Sequence, residues 1–228
     1  MRRDRSALTE RGDIREVVEH ELQSQAAGLL ERLIFLSDGV FGIAMTLLVV
    51  ELTVPEVTSG VTTDLAERLW ALGPKYLSYA VSFLVIASYW RSHQRIFSYI
   101  IRADNRLAWL NVLLLMCIAF QPFPTSVLGS YDTATSVTLY AGTLSVTGVI
   151  VLLLWVYATR GHRLVSPNLN HRLIEHHTWR AASAPLVFLA SIGIAQVNPT
   201  AAELSWLSIA VLMLVLRWLY RDTPEYSG

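Results

Sequence analysis

The sequence predicts an all-α polytopic membrane protein with six transmembrane helices. Three observations carry that prediction. The 228 residues are 53% hydrophobic and only 16% charged, where a soluble domain holds roughly 25% charged residues. The charges gather in short stretches, and the apolar runs between them reach the ~20 residues a helix needs to cross a bilayer. Basic and non-basic connections also alternate along the chain, as a chain threading back and forth through a membrane requires. Helices are the expected spans because every backbone group must be satisfied within the segment.

Residues 1–30 mix arginines and acids, as in "RGDIREVVEHELQSQ". They read as a cytoplasmic N-terminal arm, helical or disordered. The basic start "MRRDR" leads into charge without a short apolar core, so no secretory signal peptide is expected. The six spans are expected at 31–53, 66–98, 105–128, 134–158, 178–197 and 202–220, within a six-helix transmembrane domain of residues 31–221. The second is interrupted by Pro74 and Lys75. Residues 222–228 form a short cytoplasmic tail in this reading.

Loop charges set the orientation. Arginines crowd the arm (Arg2, Arg3, Arg5, Arg11, Arg15), the second connection (Arg91, Arg95, Arg102, Arg106) and the fourth (Arg160, Arg163, Arg172, Arg180), and Arg217 and Arg221 border the tail. The intervening loops hold Glu56 and Asp64, then Asp132, then Glu203. Both termini are therefore expected in the cytoplasm, with the protein in the plasma membrane. Trp70, Trp90, Trp109, Trp155, Trp179, Trp206 and Trp218 fall near the predicted helix ends, where amphipathic rings prefer to sit. Net charge is zero, which offers nucleic acid no electrostatic footprint. Cys117, the single cysteine, can form no internal disulfide and reads as a small apolar residue.

The first span, "RLIFLSDGVFGIAMTLLVVEL", poses the functional question. At about 100° per residue, Leu36, Gly39, Thr46, Leu47 and Val50 fall within about 60° of Ile43, a single apolar stripe with one hydroxyl. Asp38 and Ser37 point elsewhere. A carboxylate inside a span costs a few kcal/mol and usually faces the bundle with a partner. Candidate partners at the same depth are Arg91, His93, Arg95 and Asn111, while Arg32, six residues earlier, points about 120° away from Asp38 and cannot pair with it simply. A polar cluster of Arg32, Ser37 and Asp38 with His93 and Asn111, and with the Trp90 indole as a donor, is expected to join three helices. Spacing leaves two roles open, structural glue or a proton or ion relay.

Arg32, three residues, then "LSDGVFGIAMTLLVVEL" resembles the first-helix signature of the transmembrane protein 175 family of potassium channels. In that signature arginine and three residues precede Phe-Ser-Asp and an apolar pore-lining run; here Leu36 stands in for the Phe. "YWRSHQRIF" and "NVLLLMCIAFQPFPTSVLGSY" are also similar to prokaryotic members. The resemblance implies a homotetramer of six-helix subunits, with the first helix of each lining a central pore. Carried over by position, the constriction is Ile43, the next rings are Leu47 and Val50, and Thr46 supplies hydroxyls. Potassium is the implied permeating ion, with membrane lipid the other partner and no cofactor or further metal. The resemblance favours glue for Arg32, Ser37 and Asp38.

Two other function classes compete with a channel on the residues alone. A proton- or cation-coupled transporter would carry broken helices around a midplane charge. Pro122, Pro124 and Pro185 could break helices, but no charge lies at a midplane. A membrane enzyme has little support. "HRLIEHHTWR" at 171–180 is neither H-E-x-x-H nor H-x-x-E-H, and reads as a basic interfacial loop. No Thr-Val-Gly-Tyr-Gly filter and no arginine-rich voltage-sensor repeat occurs.

Overall fold

A computed structural model describes residues 3–52 and 65–220, with side chains from residue 25 onward and, after the gap, almost all from residue 67. Arg2, Glu56, Asp64, Arg221 and the tail 222–228 lie outside the described residues, so the expectations attached to them stay there.

The described chain is helical: α1 Arg3–Leu47, ending in a 3-10 turn Leu48–Glu51, α2 Leu65–Ala71, α3 Gly73–Tyr99, α4 Asn105–Phe120, α5 Pro122–Ser130, α6 Ala134–Thr159, α7 His171–Ala195, α8 Pro199–Ser205 and α9 Leu207–Leu219. Five segments are long and apolar enough to cross a membrane: Gln25–Val50, Asn105–Ser130, Ala134–His162, His171–Ala195 and Pro199–Leu219. α3 is not among them and is the element that matches the remaining expected span. At ~1.5 Å per residue its 27 residues reach about 40 Å, but Lys75, Arg91 and Arg95 dilute its hydropathy.

Local chemistry explains where the helices start and stop. Pro74 sits in the first turn of α3, where its missing N–H harms nothing, so the second span divides into α2 and α3 at this point. Asp104 caps α4 by accepting from Leu107 N at 2.9 Å. Pro122 lacks an amide hydrogen and so separates α4 from α5 at Gln121. Thr133 and Ser136 form a reciprocal capping box on α6.

Two expectations need correction. The stretch 171–180 is no loop. Asn170 accepts from Arg172 N at 2.9 Å and starts α7 at His171, seven residues before the expected span. One face of these polar first turns is sheltered by the bundle, with His176 and His177 buried, while His171, Arg172 and Glu175 are exposed. The tryptophans do not all ring the interface either. Trp155 is fully buried and donates to Ile174 O and Thr178 Oγ1 on α7. Trp206 donates to Ser191 Oγ at 2.9 Å. Trp70, Trp109, Trp179 and Trp218 are exposed.

α6 and α7 form the most extensive helix pair. Gly148 lets them meet: a Cβ there would lie 2.8 Å from Pro185 Cδ. The core runs through α1, α3, α4, α6 and α7, and includes Phe41, Leu48, Ile86, Leu107, Leu114 and Trp155. α1 is anchored to this core along one side, through Leu33, Ser37, Phe41, Ala44 and Leu48. These recur at three- and four-residue spacing, as a helix with one buried face requires.

Candidate permeation helix and its polar anchor

The other side of α1 is bare. Leu36, Gly39, Ile43, Thr46, Leu47 and Val50 are all exposed, with Ile43 at 60% and Val50 at 67%. The stripe picked out by periodicity is thus the face of α1 that the rest of the chain leaves uncovered. Gly39 presents no side chain to it, and a Cβ there would meet nothing within 4 Å. Thr46 Oγ1 donates to Ile43 O at 2.9 Å. The hydroxyl hydrogen is committed to the helix, so the oxygen lone pairs are what the residue offers outward.

The polar residues sort into two groups. One is buried. Ser37 Oγ donates to Leu33 O at 2.7 Å, and Asn111 Nδ2 donates to Ser37 Oγ at 3.0 Å. Asn111 Oδ1 lies 2.9 Å from His93 Nε2. This chain ties α1 to α4 and α4 to α3 with three residues of at most 1% exposure. Phe97 stacks on the His93 ring at 4.1 Å, and Phe41 tilts against it at 5.7 Å.

The second group sits at the edge of the buried face. Asp38 is exposed, and its Oδ1 accepts from Trp90 Nε1 at 2.8 Å and from Gln94 Nε2 at 2.5 Å. Both donors come from α3, one helical turn apart. Gln94 is the member that sequence reasoning missed. Its only signal was the i,i+4 spacing from Trp90, which becomes informative once Trp90 is known to face Asp38. Arg32 stands on the exposed side of α1, and no contact among the described residues joins it to either group. Asp38 thus pairs with the expected Trp90 and with Gln94, while His93 bonds to Asn111 instead.

At the level of the α3–α4 and α6–α7 connections the chain makes a second junction. Ile100 and Val165 form an antiparallel bridge, and Ile101 N donates to Leu164 O at 2.9 Å. Arg102 donates twice to Arg163 O, through Nε at 3.0 Å and Nη2 at 2.8 Å. Asp104 accepts from Tyr157 Oη at 2.5 Å and lies 3.6 Å from Arg163 Nε. Partial desolvation works to raise the Asp104 pKa, but the Tyr157 hydroxyl, the Leu107 amide and Arg163 outweigh it and hold the carboxyl below its usual value. Arg163 also lies over the Tyr157 ring, 5.1 Å from its centre.

No group of three or more His, Cys, Asp or Glu side chains able to hold a metal exists among the described residues. Among the described residues a cavity lies near Leu48 and Leu52, lined also by Lys75, Ser78, Thr125 and Ser126.

Comparison with known proteins gives this arrangement its setting. Residues 32–122 match a family model described as the endosomal/lysosomal potassium channel TMEM175. A potassium channel of Chamaesiphon minutus is 32% identical over 183 residues, covering 78% of this chain and 87% of the relative. One of Streptomyces collinus is 35% identical over 167 residues, covering 71% and 80%. The crystal structure of a lysosomal potassium-selective channel TMEM175 homologue from Chamaesiphon minutus superposes with a TM-score of 0.68 at 29% identity, over 86% of this chain and all of that one. The chain is an all-helical membrane-spanning protein of a channel family, not of an enzyme class, and it belongs to the TMEM175 family.

Proposed function

We propose that the chain is one subunit of a potassium channel, in which four copies of α1 surround the conduction path. One observation carries this reading: the apolar stripe of α1 is uncovered although its opposite side is built into the core. A stripe of that length, with a glycine and a hydroxyl in it, suits close approach of symmetry-related helices about an axis. The names of the bacterial relatives, potassium channels, support the choice of ion.

In this reading Ile43 forms the constriction, Leu47 and Val50 the next rings, and Thr46 a ring of hydroxyl oxygens between them. A dry apolar neck makes an ion shed water while little replaces it, and potassium dehydrates more cheaply than sodium. The Thr46 lone pairs supply partial replacement, since the hydroxyl hydrogen is turned back to Ile43 O. Conduction is leak-like, with weaker selectivity than a carbonyl filter gives. Asp38 and the Ser37–Asn111–His93 chain act as structural glue that holds α1 in position.

The arginine pattern supports cytoplasmic termini in a plasma membrane, with residues 1–30 as an arm, 31–221 as the channel domain and 222–228 as a tail. The test is potassium-driven flux into liposomes holding the purified protein, with sodium as comparison, joined to cysteine labelling at 43, 47 and 50. The channel reading expects potassium flux without a coupled ion and labelling by water-soluble reagents. Flux that depends on a counter-ion gradient would instead mark a coupled transporter, and labelling only by lipid-phase reagents would remove α1 from the pore.

A further inference from the structure

The junction between the α3–α4 and α6–α7 connections gathers charge as well as backbone. The Arg102 guanidinium is fixed against the Arg163 backbone by its two bonds to Arg163 O, and the Arg163 guanidinium lies at Asp104 and over Tyr157. Arg106 stands on the first turn of α4 and Arg160 at the end of α6, both exposed. Asp104 offsets one of these four charges through Arg163. Segments some sixty residues apart in sequence thus bring a positive surplus to one junction.

What lies beneath the outer two arginines decides the ligand. Arg106, Trp109, Leu113 and Met116 follow one another at three- and four-residue spacing on α4, and all are exposed. Leu153, Val156 and Arg160 do the same on α6. The α4 stripe is apolar for about two turns and the α6 stripe for about one, and each ends in a guanidinium. Trp109, 63% exposed one turn below Arg106, marks headgroup depth. A soluble anion would use the arginines and ignore the stripes. A molecule with an anionic head and hydrocarbon tails uses both.

We infer that the Arg102–Arg106–Arg160–Arg163 junction is a binding site for an anionic phospholipid, with the phosphodiester on the guanidiniums and the acyl chains along the exposed stripes of α4 and α6. Guanidinium suits this ligand because its planar fork pairs two oxygens of one phosphate. Basic pockets between transmembrane helices are a recognised form of headgroup site. The inference rests on α4 and α6 crossing a bilayer. It does not rest on the conduction path proposed above.

The test is native mass spectrometry of the intact purified protein, delipidated and then exposed to equimolar phosphatidylglycerol and phosphatidylcholine. Arg106→Gln with Arg160→Gln is the variant, because neither side chain holds the fold together by a bond described above. Wild type should retain phosphatidylglycerol over phosphatidylcholine by about tenfold, and the double variant should fall to near parity while eluting as wild type does. A wild type without preference, or a variant that keeps it, would overturn the site. Inorganic phosphate forms the control arm: if it displaces the lipid at millimolar concentration, the junction recognises free phosphate and the lipid assignment fails. Arg160→Gln alone should give an intermediate preference, which keeps the inference open to test if the double variant does not fold. None of these readouts involves current, so failure here leaves the channel reading untouched, and the reverse holds.

Discussion

His93 Nε2 donates to Asn111 Oδ1 across 2.9 Å, and the direction of that bond follows from the residues beyond it. Ser37 gives its hydroxyl hydrogen to Leu33 O, so it can only accept from Asn111 Nδ2. The Asn111 amide is thereby oriented with its oxygen toward His93, whose Nε2 must carry the hydrogen. Asn111→Ala removes an acceptor from the histidine and a donor from the serine, both buried. A loss of about 2–4 kcal/mol is expected. Thermal unfolding of the purified protein in detergent checks it; an unchanged midpoint would mean that the three-helix tie contributes nothing.

Asp38 makes a separable prediction. Its two donors are neutral and it lies at the surface of the subunit. Asp38→Ala should therefore cost only about 1–2 kcal/mol, less than the buried substitution. Asp38→Asn keeps an oxygen for Trp90 and Gln94 and should recover most of that. The Trp90 environment can be followed by fluorescence in a background lacking the other exposed tryptophans. Altered currents from a normally assembled Asp38→Ala protein would favour a relay over glue.

At the neck, Ile43→Asn should wet the constriction, raise conductance and erode the preference for potassium over sodium. Planar-bilayer recordings of reversal potential and single-channel current provide the measurement. Identical values in both would set the Ile43 ring aside.

Close approach of α6 and α7 yields a fourth expectation. Gly148→Ala drives a methyl to within 2.8 Å of Pro185 Cδ. The proline ring cannot rotate away, so the helices must separate, at about 1–3 kcal/mol. Gly142 and Gly193 have nothing within 4 Å of an added Cβ, and alanine there should be tolerated. Melting midpoints of the three variants decide the matter.

Asp104 predicts a response to acid. Its folded pKa lies below the ordinary value, so its contribution is present above about pH 4 and is lost as pH falls toward the lowered folded value. Protonation removes the acceptor for Tyr157 and the charge facing Arg163. Asp104→Asn should narrow the stability difference between pH 6 and pH 3, read from melting curves of the folded protein. An equal pH dependence in both proteins would show that other carboxylates govern the acid limb.

Much of this was legible in the residues. The Ile43 stripe was readable because a helix repeats every 3.6 residues, and a partly buried helix must divide its faces at that period. Ser37, Asn111 and His93 could be grouped because polar side chains inside apolar spans need one another. Two features escaped. The first turns of α7 carry His171, Arg172, Glu175, His176 and His177, which hydropathy scores as loop; only tertiary packing, with Tyr99 and Trp155 against His177, buries the His176–His177 face while His171, Arg172 and Glu175 stay exposed. Asn170 was the local clue, as a cap residue ahead of a helical run. Arg32 fits the family signature but stands outside both polar groups, since sequence spacing fixes its depth and not its partner.

Because Trp90 and Gln94 grip the same oxygen of Asp38 from successive turns of α3, the azimuth of α1 is pinned at that height. Twisting the helix about its own axis would have to break both bonds at once. Tilting it, with Asp38 as the pivot, strains neither much. In the proposed channel, any widening of the passage should then come from α1 leaning outward, with Ile43 moving along a radius and keeping its heading.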